Sequence, residues 1–213
     1  KTIRSTTRSN DKEVRAYLCD VSTREDQAHG NILEGVPIVY DQRTDIGGMW
    51  EEVIDRGALD GADLKDVRFL VNHDVDSIPL ARSRNNNENS TMQMTVMDDG
   101  LHIRVDLDTE GNPRAKELYS AISRQDVSGM SFMFNVKGDK WENLDSEYPT
   151  RHITALGKVF EVSAVTFPAY EQTSINARSL ESGKASLDSA REALENAKKV
   201  EELRKQIIER CKS

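Results

Sequence analysis

Apolar and polar side chains alternate most clearly over residues 92–107. Met92, Met94 and Val96 take every second position before Asp98-Asp99-Gly100, and Leu101, Ile103, Val105 and Leu107 do so after it. A period of two is that of a half-buried strand, so this run reads as a hairpin with one wet face. The same period recurs over residues 131–136. There Phe132, Phe134 and Val136 share one face, while Ser131, Met133 and Asn135 share the other. A phenylalanine face turned to the core leaves Ser131 on a rigid element, pointing away from that core. Gly129, two residues before it, brings conformational freedom and lets a substrate approach closely.

Shorter runs fill in the rest. Residues 14–21, 32–40, 67–71, 78–81, 153–156 and 158–165 read as further strands, with Gly35 and Pro37 marking a bulge or an edge in the second. Residues 23–30, 41–48, 82–90 and 141–150 are polar and read as turns or loops. The spacing of residues 49–55 predicts a short helix stopped by Gly57, and Pro113 opens a helix to about Arg124 with Ala115, Leu118, Tyr119 and Ile122 on one side. Many short strands and few helices predict an α+β, β-rich domain, its mostly antiparallel sheet folded or barrel-like, with short helices packed on it.

From Lys184 the composition turns to Ala, Glu, Lys and Leu. Leu187, Ala190, Leu194, Ala197, Val200, Leu203 and Ile207 recur at steps of three and four, which predicts a long charged helix with an apolar stripe in need of a partner. That partner is this domain, a second copy or another protein. The chain thus divides into a polar arm (1–12), a globular domain (13–178) and a linker with its helix (179–213).

The 213 residues suffice for one domain with a core and an appendage. A net charge of −8 argues against a phosphate-binding surface, hence against nucleic acid as a partner. Cys19 and Cys211 have no metal-ligand spacing and suit a reduced compartment. No apolar run approaches the roughly 20 residues that span a bilayer, and no signal peptide is evident.

Candidate chemistry follows from the few histidines. His29, His102 and His152 fall in polar surroundings, whereas His73 ends a strand whose Val67, Phe69 and Val71 point its way. An imidazole there is partly desolvated and needs a partner. Glu161 is the second oddity, a carboxylate in a run apolar on both faces (residues 159–165), with Ser163 on its own face. Burying it unpaired is expensive, so a histidine or arginine should meet it. Serine becomes a nucleophile only beside a base that a third group orients. Ser131, His73 and Glu161 supply those three types from separate strands, although a structural ion pair explains Glu161 equally well. A metal hydrolase built on His73, Asp74 and Glu161 has the residue types without a metal-binding spacing.

The order Asn72-His73-Asp74, Gly129-Met130-Ser131-Phe132-Met133-Phe134 and then Glu161-Val162-Ser163-Ala164-Val165-Thr166-Phe167-Pro168-Ala169-Tyr170 resembles the prohead (capsid maturation) proteases of HK97-type tailed bacteriophages. Gly35, residues 45–48 and residues 52–58 are similar to that family's N-terminal part, so the resemblance covers about residues 13–178. It implies a serine endopeptidase with a β-barrel related to the herpesvirus assembly proteases, working without a cofactor inside the procapsid in the host cytoplasm. It further implies cleavage of the scaffold, or of a scaffold segment of the major capsid protein, and of itself. Carried over by motif, His73 is the general base, Ser131 the nucleophile and Glu161 the third member, with Asp74 as rival and Arg82 as oxyanion candidate. The terminal helix would bind scaffold or self-associate. The alternative is a non-catalytic capsid-assembly module whose protease-like domain is vestigial.

Overall fold

The computed structural model describes residues 3–4, 12–18, 21–26, 30–167 and 174–210. In chain order the elements are β1 (Ile3–Arg4), β2 (Glu13–Leu18), β3 (Val21–Asp26), β4 (Gly30–Val39), β5 (Thr44–Ile46), β6 (Trp50–Ile54), β7 (Asp66–Val71), β8 (Ala81–Arg84), β9 (Met92–Met97), β10 (Gly100–Leu107), α1 (Pro113–Ser123), β11 (Gly129–Glu142), β12 (Thr150–Val165) and α2 (Ser174–Arg210). Cys19, His29, Cys211, the Pro168–Tyr170 part of the last motif and most of the N-terminal arm lie outside the described residues.

Two long antiparallel strands, β11 and β12, form the spine of an eight-stranded sheet. β11 has β1 and β2 along its far edge, and β12 has β6 and β7, both parallel to it. β5 extends β6, and β8 extends β7. The second sheet has the order β3-β4-β10-β9. The strands therefore pair as two sheets and not as one closed barrel, and two of the pairings are parallel. The core lies between the sheets. Leu33, Ile38, Leu101, Ile103 and Val105 meet Met130, Phe132, Phe134, Val159 and Val162, and α1 adds Ala115, Leu118 and Ile122. Phe132 and Phe134 stack with centroids 4.8 Å apart.

Several elements follow the alternation directly, including the β9–β10 hairpin and α1, whose cap is the Asn112 side chain accepting from the Arg114 N–H. A bulge falls where Gly35 and Pro37 forecast one, since Leu101 pairs Ile38 while Ile103 pairs Gly35. Elsewhere tertiary pairing overrides local pattern. Residues 50–54 are strand β6 and not a helix, because their backbone pairs with Thr150–Ile153 and buries Trp50, Val53 and Ile54. Residues 21–26 are a strand, and the two runs expected at 153–156 and 158–165 are one strand crossed by bulges. The strand expected at 78–81 starts only at Ala81, and Ile78 is left 85% exposed in the loop before it. Of residues 82–90, read as a loop, 82–84 belong to β8, and the rest are tied down by Asn86 and Asn87 side chains bonding Ser83, Ser90 and Met94.

α2 begins at Ser174, so the expected linker at 179–183 is helical. Gly183 sits in that helix because a Cβ there would stand 2.4 Å from Trp50 Cζ2. Leu187, Ala190 and Leu194 pack against Ile46, Trp50, Trp141 and Leu144 as a second core. Under this contact lies a buried ionic cluster. Arg151 bonds Glu13, Glu52 and Asp139; Arg15 bonds Glu13 and Glu52; Ser182 and Ser186 of the helix reach Glu13 and Asp139. Burial alone would push the Glu13 carboxyl up, but the adjacent Arg151 and Arg15 outweigh it and hold it below the usual range.

Candidate active site

β7 delivers His73 to the surface of the large sheet. It runs parallel to β12 with Arg68 opposite Glu161 and Val71 opposite Ala164, and the Asn72 N–H continues the ladder to the Ala164 carbonyl at 2.9 Å. The Asn72 amide then clamps the end of β12, donating to Thr166 Oγ1 and accepting the Thr166 N–H. Asn72 and His73 both take left-handed backbone angles, φ 51° and 58°. Two such residues in succession, one of them a histidine, mark a sharp reversal that costs conformational energy and folds the imidazole back over β12.

The ring meets Glu161. His73 Nδ1 lies 2.6 Å from Glu161 Oε1, with the imidazole largely covered and the carboxylate buried. Glu161 Oε2 accepts from the Ser163 hydroxyl at 2.6 Å, and that hydroxyl in turn accepts the His73 backbone N–H at 3.2 Å. Both carboxylate oxygens are thus occupied, and the ring has one preferred orientation. A carboxylate facing Nδ1 accepts a hydrogen bond from an N–H there and so favours the tautomer with Nε2 unprotonated, which is the form a general base needs.

Ser131 stands one strand further along. It is the register partner of Ser163 in the β11–β12 ladder, so the two serines share a sheet face with Glu161, with Cα atoms about 5 Å apart. Its hydroxyl is fully buried and donates to the Arg15 carbonyl of β2 at 2.8 Å. The structure therefore joins His73 to Glu161 and lays Ser131 beside them on the same face. Among the described residues, the partner of the Ser131 hydroxyl is Arg15 and not the imidazole. Ser163 is the hydroxyl in contact with the pair, a role signalled in the sequence only by its i+2 spacing from Glu161.

The remaining candidates go elsewhere. Asp74, the rival third member, turns to Ser77 and Arg114, and the Ser77 hydrogen bond with the Arg114 charge lowers its pKa. Arg82 lies in the same register row as Glu161, across Arg68, and its guanidinium is held by Asp66 at 2.7 and 3.1 Å. His102 and His152 have carboxylate partners of their own, Asp99 and Asp55. Among the described residues no group of three His, Cys, Asp or Glu side chains is placed to hold a metal ion, so the metal-hydrolase reading has no site there.

An oriented imidazole–carboxylate pair on a rigid sheet, with serines on the same face, is an arrangement of the kind serine hydrolases use. The particular family comes from comparison with known proteins: the model of the caudovirus prohead serine proteases matches residues 19–186. The chain belongs to that family, and it is a serine endopeptidase of phage capsid maturation. Its partners are, in general terms, phage capsid proteins, and the family places it within the procapsid. No curated protein and no solved structure matches the chain. None of the described helices is long and apolar enough to cross a membrane.

Proposed function

We propose that Ser131 is the nucleophile, His73 its general base and Glu161 the group that orients and stabilises the imidazole. The observation that carries this is the 2.6 Å bond between His73 and Glu161, standing on the face that Ser131 shares through Ser163. In the reaction the Ser131 hydroxyl leaves the Arg15 carbonyl and gives its proton to His73 Nε2 as Oγ attacks the scissile carbonyl. Glu161 stabilises the imidazolium that forms, and the imidazolium then protonates the leaving amine. Water, activated by the same nitrogen, releases the acyl group from Ser131. Arg82, two of whose N–H groups are held by Asp66, keeps others to offer the tetrahedral oxyanion, and backbone N–H groups are the other source of donors.

The substrates in this reading are the scaffold protein, or a scaffold segment of the major capsid protein, and the protease chain itself, cut inside the procapsid in the host cytoplasm. The kinship with herpesvirus assembly proteases belongs to the same proposal and rests on the site, not on barrel closure. Co-assembly with procapsid tests it. Ser131→Ala should lose on the order of 10³-fold or more of the cleavage rate, and a serine-directed phosphonate should label Ser131 of the parent. Cleavage by Ser131→Ala at the parent's rate would transfer the nucleophile to another hydroxyl, with Ser163 first in line.

A further inference from the structure

The apolar positions of α2 form two stripes on different sides of the helix. Leu187, Ala190 and Leu194 are buried against the domain, and Arg191 and Lys198 reach Ser146 and Asp145 on the same side. Beyond them Val200, Leu203 and Ile207 are 49%, 57% and 60% exposed. The steps from Leu194 to Ala197, Val200 and Leu203 are all three residues long, and at about 100° per residue each such step falls about 60° short of a full turn. Three of them carry the stripe about 180° around the rod. The second stripe therefore faces away from the domain and cannot be covered by further docking of the same helix.

The stripe is narrow and its borders carry one sign. Val200, Leu203 and Ile207 repeat as the inner positions of a coiled-coil seam, which makes Lys199 and Arg204 the flanking positions on either side. Neither cation has an ion-pair partner among the described residues, whereas Lys198 is paired with Asp145 and Lys205 with Glu201. Glu195, Glu201, Glu202 and Glu209 lie on other sides of the helix. Self-pairing would set Lys199 against Arg204 of the second copy in a parallel seam, or like residue against like in an antiparallel one, and both are repulsive.

We propose that residues 195–210 form a docking arm for an amphipathic helix of another protein whose apolar seam is bordered by glutamate or aspartate. The proposal rests on the procapsid role only for which protein supplies that helix. Its chemistry comes from the arm itself. The seam of Val200, Leu203 and Ile207 is about 60° wide and has no aromatic residue; Ile208, also exposed, stands about 100° round from Ile207 and outside it. A seam that narrow suits a helix better than a lipid surface, where apolar faces are broad.

The test uses the full chain and two synthetic four-heptad peptides with leucine and isoleucine at the inner positions, one with glutamate and one with lysine at both flanks. Fluorescence anisotropy should show the glutamate peptide bound at least about tenfold more tightly than the lysine peptide. Lys199→Glu with Arg204→Glu should reverse that order, and Val200→Ser with Leu203→Ser and Ile207→Ser should abolish binding of both. These positions are exposed, so the variants keep the fold. Equal binding of the two peptides, or binding of neither, overturns the proposal. So does tighter binding to phosphatidylglycerol vesicles that the serine variant loses, or self-association in sedimentation that the serine variant removes. No arm reads hydrolysis, so failure of the assigned catalytic residues leaves the outcome unaffected.

Discussion

Glu161→Gln tests the site where its geometry is most specific. The substitution keeps size and shape and removes one charge from a carboxylate whose oxygens lie 2.6 Å from His73 Nδ1 and from Ser163 Oγ. With charge centres about 4 Å apart and an effective dielectric near 20, a carboxylate stabilises an imidazolium by about 4 kcal/mol. A glutamine oxygen retains a neutral hydrogen bond worth about 1 kcal/mol, leaving a loss of about 3 kcal/mol in the transition state. That corresponds to between about 10²- and 10³-fold in kcat. If instead the amide nitrogen turns to Nδ1, the ring holds its proton on Nε2 and is no longer a base, and the loss rises toward about 10⁴-fold. The assay is single-turnover cleavage of assembled procapsid, with circular dichroism to show an intact fold. A folded Glu161→Gln protein that cuts within about fivefold of the parent refutes the pair's role in catalysis.

Ser163→Ala should cost about tenfold in kcat with KM unchanged, because it frees one oxygen of Glu161 and the His73 backbone N–H without touching the proton path; abolished cleavage would instead make Ser163 the nucleophile. Gly183→Ala puts a methyl 2.4 Å from Trp50 Cζ2 and should destabilise the α2 contact by about 1–3 kcal/mol, read as a lower Tm and altered tryptophan emission; an unchanged Tm would mean the helix can shift freely. Glu13 has a folded pKa below its ordinary value, so its stabilising contribution is complete above the unfolded glutamate pKa and is lost as pH falls through the lower folded value. Acid titration should leave α2 docked at pH 5 and release it only below the ordinary glutamate range, and emission from Trp50 and Trp141 that stays flat until the whole domain unfolds would show the cluster does not hold the helix. Arg151→Met leaves Glu13, Glu52 and Asp139 buried with Arg15 as the remaining cation among the described residues, and should cost about 3–5 kcal/mol in chemical unfolding; a loss under 1 kcal/mol would mean that water or proton uptake replaces it.

What the sequence reveals divides along physical lines. Elements stabilised by their own period or caps are legible: the β9–β10 hairpin, α1 behind Asn112, and the Phe132–Val136 face. Elements created by pairing are not. Met49–Asp55 has helical spacing, yet β12 offers residues 50–54 an open edge, and the buried Trp50 and Glu52 side chains find Trp141, Arg15 and Arg151 there. Nothing local to Glu13, Arg15 or Arg151 in the sequence shows that α2 will cover them, so their burial as a cluster is not legible there. The site is intermediate. A carboxylate at 161 in an apolar run demands a partner, and His73 at the end of an apolar face is an available one; their meeting at 2.6 Å follows from parallel pairing of β7 with β12, which no local pattern encodes. The direction of the Ser131 hydroxyl is illegible for the same reason, since its acceptor is a backbone carbonyl of another strand.

That acceptor connects the two buried polar systems of the molecule. Arg15 gives its carbonyl to Ser131 and its guanidinium to Glu13 and Glu52, so one residue of β2 borders both the serine and the cluster beneath α2. Among the described residues β2 pairs in the sheet with β11 alone, and the cluster fixes it from the other side through Glu13, Arg151 and Ser182. A hydroxyl donating to that carbonyl is not donating to an imidazole. Under the proposed assignment the Ser131 hydroxyl must leave that carbonyl to serve His73, which breaks one neutral hydrogen bond worth about 1 kcal/mol. β2, through Arg15, is the element that holds the Ser131 hydroxyl in its present hydrogen bond.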